Sequence, residues 1–214
     1  MNVVFLGKST EEKRFLLLCL AKTISSYNKV VLISKNPYSY ENETGIYDYC
    51  GIEIIRCEIQ ENPLSKVSDE AYNFLDVEEF INVPEDYVVV AVSEPTRRIL
   101  EDCAKLASEY TWFQPSLNIF LIFLNVMEYC KIGERYMELF WERSLPSFTK
   151  ITHTHTIYFE DSNRNVMIES QFQNKLPLKS LSPSLKSALK GIIQDIFSLE
   201  KKEVKVIFKK AEGV

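Results

Sequence analysis

The first 34 residues constrain the fold more than any other stretch. Val3, Val4, Phe5 and Leu6 form an apolar run too short for a helix and rich in strand formers, so they read as a buried strand. Gly7-Lys8-Ser9-Thr10 is a polar turn; Phe15, Leu16, Leu18, Cys19, Leu20 and Ile24 then recur at helical spacing, and Lys29 to Ser34 supplies a second apolar strand. Buried strands joined through a helix imply a right-handed parallel crossover, because parallel strands cannot be joined by a tight turn. An anion-binding loop, if the chain has one, belongs at the first strand-to-helix turn.

Later segments repeat the alternation. Ile52–Arg56, Tyr87–Val92, Ile119–Asn125 and Ile151–Phe159 read as strands; residues 36–43 form a polar loop after the second strand. Ile99, Leu100, Cys103, Leu106 and Ala107 mark one helix, Met127 to Arg143 a second, and a third starts with Ser182 as N-cap and Pro183 at its first position. The 214 residues are 46% hydrophobic with no linker-like stretch, so residues 1–200 are expected to form one α/β domain followed by a basic tail, 201–214.

Charge and cysteine content narrow the function classes. A net charge of -5 argues against a general nucleic-acid binder, so no specific nucleic acid is expected. The five cysteines are odd in number and scattered through apolar segments, which suits a reducing cytosol better than a disulfide framework. No targeting segment is read at the start, and the greasiest run, Leu117–Met127, is too short to span a bilayer; a cytoplasmic protein is expected. His153 and His155 alternate with threonines on one face of a strand, but no third ligand is marked, so an edge or interface role is expected and no metal site. No catalytic residue is marked.

The run Gly7-Lys8-Ser9-Thr10-Glu11-Glu12-Lys13-Arg14 resembles the deviant Walker A loop of MinD/ParA-like P-loop ATPases, written G-K-G-G-x-G-K-T-T. Gly7 matches its first glycine, Lys8 the signature lysine and Lys13 the P-loop lysine. Ser9, Thr10 and Glu12 replace residues that are glycines in the motif, and Arg14 stands where a hydroxyl would hold magnesium. Glycines let successive amides curl around phosphate, and side chains obstruct that path. Ser9-x-x-Glu12 instead matches a capping box with Ser9 as N-cap, and Glu11 and Glu12 put negative charge on the helix end that would attract phosphate.

Further residues resemble the family in order along the chain. Val92-Ser93-Glu94-Pro95-Thr96 is similar to its strand-Pro-helix junction, and Asn125 ends a strand where the family has an adenine-side asparagine. Asn125 either reads a base or simply terminates the strand. Tyr72–Val77 is the candidate for the Walker B strand, with Asp76 on magnesium; so short an apolar run reads equally as part of an acidic surface helix. The resemblance implies a doubly wound, mainly parallel α/β sheet with helices on both faces. The candidate nucleotide-side residues are Gly7, Lys8, Ser9, Thr10, Lys13, Asp76 and Asn125.

With the cradle glycines gone, the expected function is that of a degenerate, non-hydrolysing regulator or scaffold, similar to the TadZ/CpaE-type localisation proteins, with no cofactor. The alternative is an ATP/Mg2+ switch cycling between monomer and dimer. Partners implied are proteins of a pilus, secretion or partition-type machinery, with a homodimer across the nucleotide face. The tail resembles the lipid-binding tail of MinD: Val204, Ile207 and Phe208 cluster between lysines including Lys209 and Lys210 if it is helical, so it is read as a membrane or partner contact. Read as a strand, Val204, Val206 and Phe208 alternate just as well.

Overall fold

The computed structural model describes residues 1–38 and 45–213; part of the polar loop at 36–43 therefore lies outside the described residues. Eight strands form one sheet: β1 (Asn2–Leu6), β2 (Val30–Ser34), β3 (Gly45–Tyr49), β4 (Ile52–Arg56), β5 (Tyr72–Val77), β6 (Val88–Ser93), β7 (Asn118–Val126) and β8 (Lys150–Tyr158). Their order is β3-β4-β2-β5-β1-β6-β7-β8, and every pairing is parallel except β3 with β4. The helices are α1 (Glu11–Ser25), α2 (Arg97–Phe113), α3 (Glu134–Ser144), α4 (Asp161–Gln173), α5 (Pro183–Phe197) and α6 (Lys201–Ala211). This is the doubly wound, mainly parallel sheet that the strand-helix alternation predicts.

Alternation along β1 sorts the core into two layers. Val3 and Phe5 pack with α1, α4, α5 and α6, while Val4 and Leu6 pack with α2 and α3. Both faces of the strand are covered, which is why it reads as a continuous apolar run. β1 lies between β5 and β6: the chain leaves β1 through α1 toward β2 on one side and later passes from β5 to β6 on the other. The crevice at the carboxyl ends of β1, β5 and β6 is the place where such sheets bind ligands.

Several expectations need correction. Tyr72–Val77 is a central strand and Asp76 is 2% exposed, not a surface residue of an acidic helix. Helix α3, expected from Met127, starts at Glu134, because Met127–Gly133 folds as a turn after β7. Residues 201–211 are a helix of the domain and not a free tail. Val204 and Phe208 join the core layer of α1 and α5 and Ile207 is buried as well, so the apolar face read as a membrane contact is spent on the domain. Lys209 and Lys210 face solvent. Strand β4 is the expected Ile52–Arg56, but its hairpin partner β3 and helix α4 are not marked in the sequence: α4 buries only Asn163, Val166, Met167 and Ser170, too few apolar side chains to show a periodic face.

Candidate functional site

Gly7 sits at φ +112 directly after β1, and a Cβ there would stand 2.3 Å from the carbonyl oxygen of Val92. Only glycine fits where β1 and β6 crowd together. The turn that follows is short, and α1 begins at Glu11 with Thr10 as its N-cap; the Lys13 amide donates to the Thr10 hydroxyl at 3.1 Å. The capping box on Ser9 and Glu12 is therefore corrected by one residue. Ser9 is unavailable because its hydroxyl donates to Asp76 Oδ2 at 2.6 Å, and Glu12 pairs with Arg164 of α4 at 2.8 Å.

Lys13 points back under the turn. Its ammonium lies 2.7 Å from Asp76 Oδ1 and donates to the carbonyls of Phe5 at 2.9 Å and Gly7 at 2.6 Å, with the lysine 1% exposed. Three acceptors take all three protons an ammonium offers. Asp76 is held in turn by Ser9, by Ser34 at the end of β2 (3.3 Å) and by the Tyr38 hydroxyl at 2.9 Å. Burial, reinforced by the adjacent Asp76 carboxylate, pushes the Tyr38 phenol well above its ordinary range, so it stays a proton donor. The sequence marks Lys13, Ser9 and Asp76 as candidates and Ser34 only as the end of the second strand. Tyr38 was missed, because nothing local marks a tyrosine after a strand as the partner of an aspartate 38 positions away.

A second cluster covers the helix start. The Ser9 amide donates to Glu78 Oε1 at 2.7 Å, and the Asn36 side chain donates to the same oxygen at 3.1 Å. Thr10 Oγ1 donates to Glu94 Oε1 at 2.5 Å, and Asn125 Nδ2 reaches Glu94 Oε2 at 3.5 Å. Asn125 closes β7 in the left-handed conformation, φ +54. Lys8 is exposed, its carbonyl accepting from the Thr10 amide at 2.9 Å. The candidates thus divide into Ser9, Lys13 and Asp76 beneath the turn, Thr10 and Asn125 beside Glu94, and Lys8 outside.

Burial raises the Glu94 carboxyl above its ordinary range, an effect its bond from Thr10 opposes. A carboxyl raised on folding favours the folded state at acid pH and penalises it as pH climbs through the folded value. Glu94→Gln is therefore expected to gain melting temperature relative to wild type as pH rises from about 4 to 7. Thermal melts across that range check it; parallel curves would refute the assignment.

The MinD/ParA likeness implies ATP and Mg2+ as cofactors, and the donor set does not fit them. The Ser9, Thr10 and Lys13 amides are all engaged within the protein, and so are all three Lys13 protons. Arg14 stands where a magnesium hydroxyl is needed, and the carboxylates of Glu78 and Glu94 accept the bonds that phosphate oxygens would take. Among the described residues, no cluster of three or more His, Cys, Asp or Glu side chains could hold a metal ion.

Sheet order, switch-point crevice and the lysine-aspartate pair together define the MinD/ParA-like P-loop fold. Solved structures of this fold are similar along nearly the whole chain. A ParA family ATPase from Chlorobium tepidum superposes with a TM-score of 0.60 at 12% identity, covering 87% of this chain and 95% of that one. The MinD cell division protein of Aquifex aeolicus gives 0.62 at 13% identity, covering 94% and 98%. A chain of the Aquifex aeolicus MinC:MinD complex gives 0.61 at 11%, covering 93% and 96%. No protein-family model and no curated protein matches the chain by sequence.

Proposed function

We propose that this chain is a degenerate, non-hydrolysing protein of MinD/ParA-like fold that acts as a regulatory or scaffolding factor through protein contacts. Its machinery would be of the division, partition, secretion or pilus type, in the cytoplasm. One observation carries the reading: Lys13, which the resemblance would assign to phosphate, has all its donors engaged by Asp76 and two main-chain carbonyls. Glu78 and Glu94 add internal anions at the turn. One similar structure is of MinD in complex with the protein MinC, which supports partnership between proteins as the mode of action. Exposed aromatics support it too. Trp112 packs edge-on to Phe148, and Phe80 to Phe113, leaving aromatic area of the kind that protein contacts cover.

A second reading is an ATP-responsive switch between monomer and dimer, favoured by one fact: Lys13, in the first turn of α1 after β1, meets Asp76 near the carboxyl end of the adjacent parallel strand β5, where such a switch would need them. In that reading Lys13 leaves Asp76 when nucleotide arrives. Thermal shift separates the two. A ligand present at about 100 times its Kd adds roughly 2.7 kcal/mol, which for a chain of this length is about 5–10 °C of melting temperature. The expected result is no shift at millimolar ATP and Mg2+. A shift of that size would overturn the non-binding reading and establish the switch.

As to membranes, no helix among the described residues is long and apolar enough to cross one.

A further inference from the structure

The sheet has two edges, and they are unlike. β3 is five residues long, carries Asp48 and opens on Gly45 at φ +84, features that discourage pairing with another chain. β8 runs nine residues, with none of Asp, Glu, Lys, Arg or Pro from Ile151 to Tyr158. It pairs only with β7, so its outer amides and carbonyls have no strand partner among the described residues.

Two helices cover the two faces of this strand and leave its outer edge without a strand partner among the described residues. Asp195 of α5 lies 3.2 Å from His153 Nδ1 and 2.9 Å from His155 Nε2 on one face. Glu134 of α3 accepts from Thr156 at 2.6 Å and Tyr158 at 2.8 Å on the other. His155 also packs close on Gly191, where a Cβ would meet the imidazole at 3.3 Å.

The sequence along the edge is symmetrical. Thr152-His153-Thr154-His155-Thr156 reads identically in both directions. In an antiparallel pair of identical strands related by a two-fold axis at Thr154, Thr154 faces its own copy, His153 faces His155, and Thr152 faces Thr156. Like residues meet like, with Thr–Thr pairs among the favourable cross-strand contacts. A bulge sets the end of the ladder: Ile119 pairs with Ile151 and Phe120 with His153, leaving Thr152 between them with its hydroxyl on the Ile119 carbonyl at 3.4 Å. Residues 153–155 of each strand lie clear of the bulge, and the bulged Thr152 faces Thr156 at either end. Beyond the ladder, antiparallel pairing directs the exposed Lys150 of one strand toward the Glu160 and Asp161 end of the other, so the charges are complementary.

We propose that β8 is an interface for a second copy of this chain, joining two sheets edge to edge about a two-fold axis at Thr154. The pairing is separate from any association across the crevice at the ends of β1, β5 and β6. Sedimentation equilibrium of the full chain up to high micromolar concentration tests it, comparing wild type with Thr154→Lys. Thr154 is exposed, and the lysine sets two like charges face to face on the axis. The expected result is a wild-type dimer and at least about a tenfold rise in Kd for T154K, with an unchanged melting temperature at concentrations low enough that both proteins are monomeric. A wild-type monomer throughout, or a dimer indifferent to T154K, overturns the proposal. Should T154K not fold, Thr154→Cys on a Cys130→Ser background answers the same question. Mild oxidation gives a disulfide-linked dimer if the axis passes through residue 154, and its absence refutes the pairing.

Discussion

Lys13→Ala is expected to lower folding stability by about 3–5 kcal/mol, the usual cost of removing one partner from a buried ion pair. The side chains of Lys13 and Asp76 are 1% and 0% exposed, so the stranded carboxylate would have no water to turn to. Ser9, Ser34 and Tyr38 would still donate to it, and the Phe5 and Gly7 carbonyls would lose a donor. The double variant Lys13→Met with Asp76→Asn removes both charges and keeps an acceptor for the three hydroxyls. It should recover more than half of the loss, because exchanging a buried pair for neutral groups is close to neutral. Lys8→Ala, at an exposed position, is the control and should stay within about 0.5 kcal/mol of wild type. Urea unfolding of the four proteins measures all of this. A Lys13→Ala loss below about 1 kcal/mol would mean that the ammonium is held loosely and is free for another partner.

The lysine also shows where sequence stops informing. The spacing from Lys8 to Lys13 located the turn and the crevice, because apolar strands and helical periodicity are local signals. What Lys13 does there depends on Asp76, on a strand that its own sequence disguises. Asn73 and Asp76 interrupt the apolar run of β5, and both are buried. Each is tolerated by partners that no local pattern shows: Asn73 donates to Asn2 Oδ1 and to the Ser68 and Ala71 carbonyls, and Asp76 takes Lys13 and three hydroxyls. The cap moved from Ser9 to Thr10 for the same reason. The Ser9 hydroxyl has a stronger claim on it from a carboxylate 67 residues away, and a charged acceptor outcompetes a backbone amide. Apolar patterning thus exposes the scaffold, while buried polar residues are decided by partners remote in the chain. Glu78 illustrates the point, since within an acidic run nothing distinguishes the one carboxylate that takes the Ser9 amide.

Truncation at residue 200 is expected to abolish cooperative folding. Helix α6 inserts Val204 and Phe208, at 1% and 0% exposure, into the layer formed with α1 and α5, and buries Ile207 to 5% exposure. Burying one such side chain contributes about 1.5–3 kcal/mol, so the three together supply roughly 5–9 kcal/mol, as much as many domains hold in total. Polar ties fix the docking: Ser26 donates to the Ile207 carbonyl at 2.9 Å, Lys186 pairs with Glu212 at 2.8 Å, and Lys190 lies over the Phe208 ring at 4.6 Å. A tail that served as a lipid anchor would behave in the opposite way, leaving the domain intact when removed. The graded test is Phe208→Ala, expected to cost about 3–5 kcal/mol, against Val206→Asp on the exposed face, expected to cost under about 0.5 kcal/mol. Both are read by urea unfolding alongside sedimentation with anionic vesicles. If Phe208→Ala kept full stability while reducing vesicle binding, the helix would have to leave α1 and α5 in solution, and the packing described for it would be wrong.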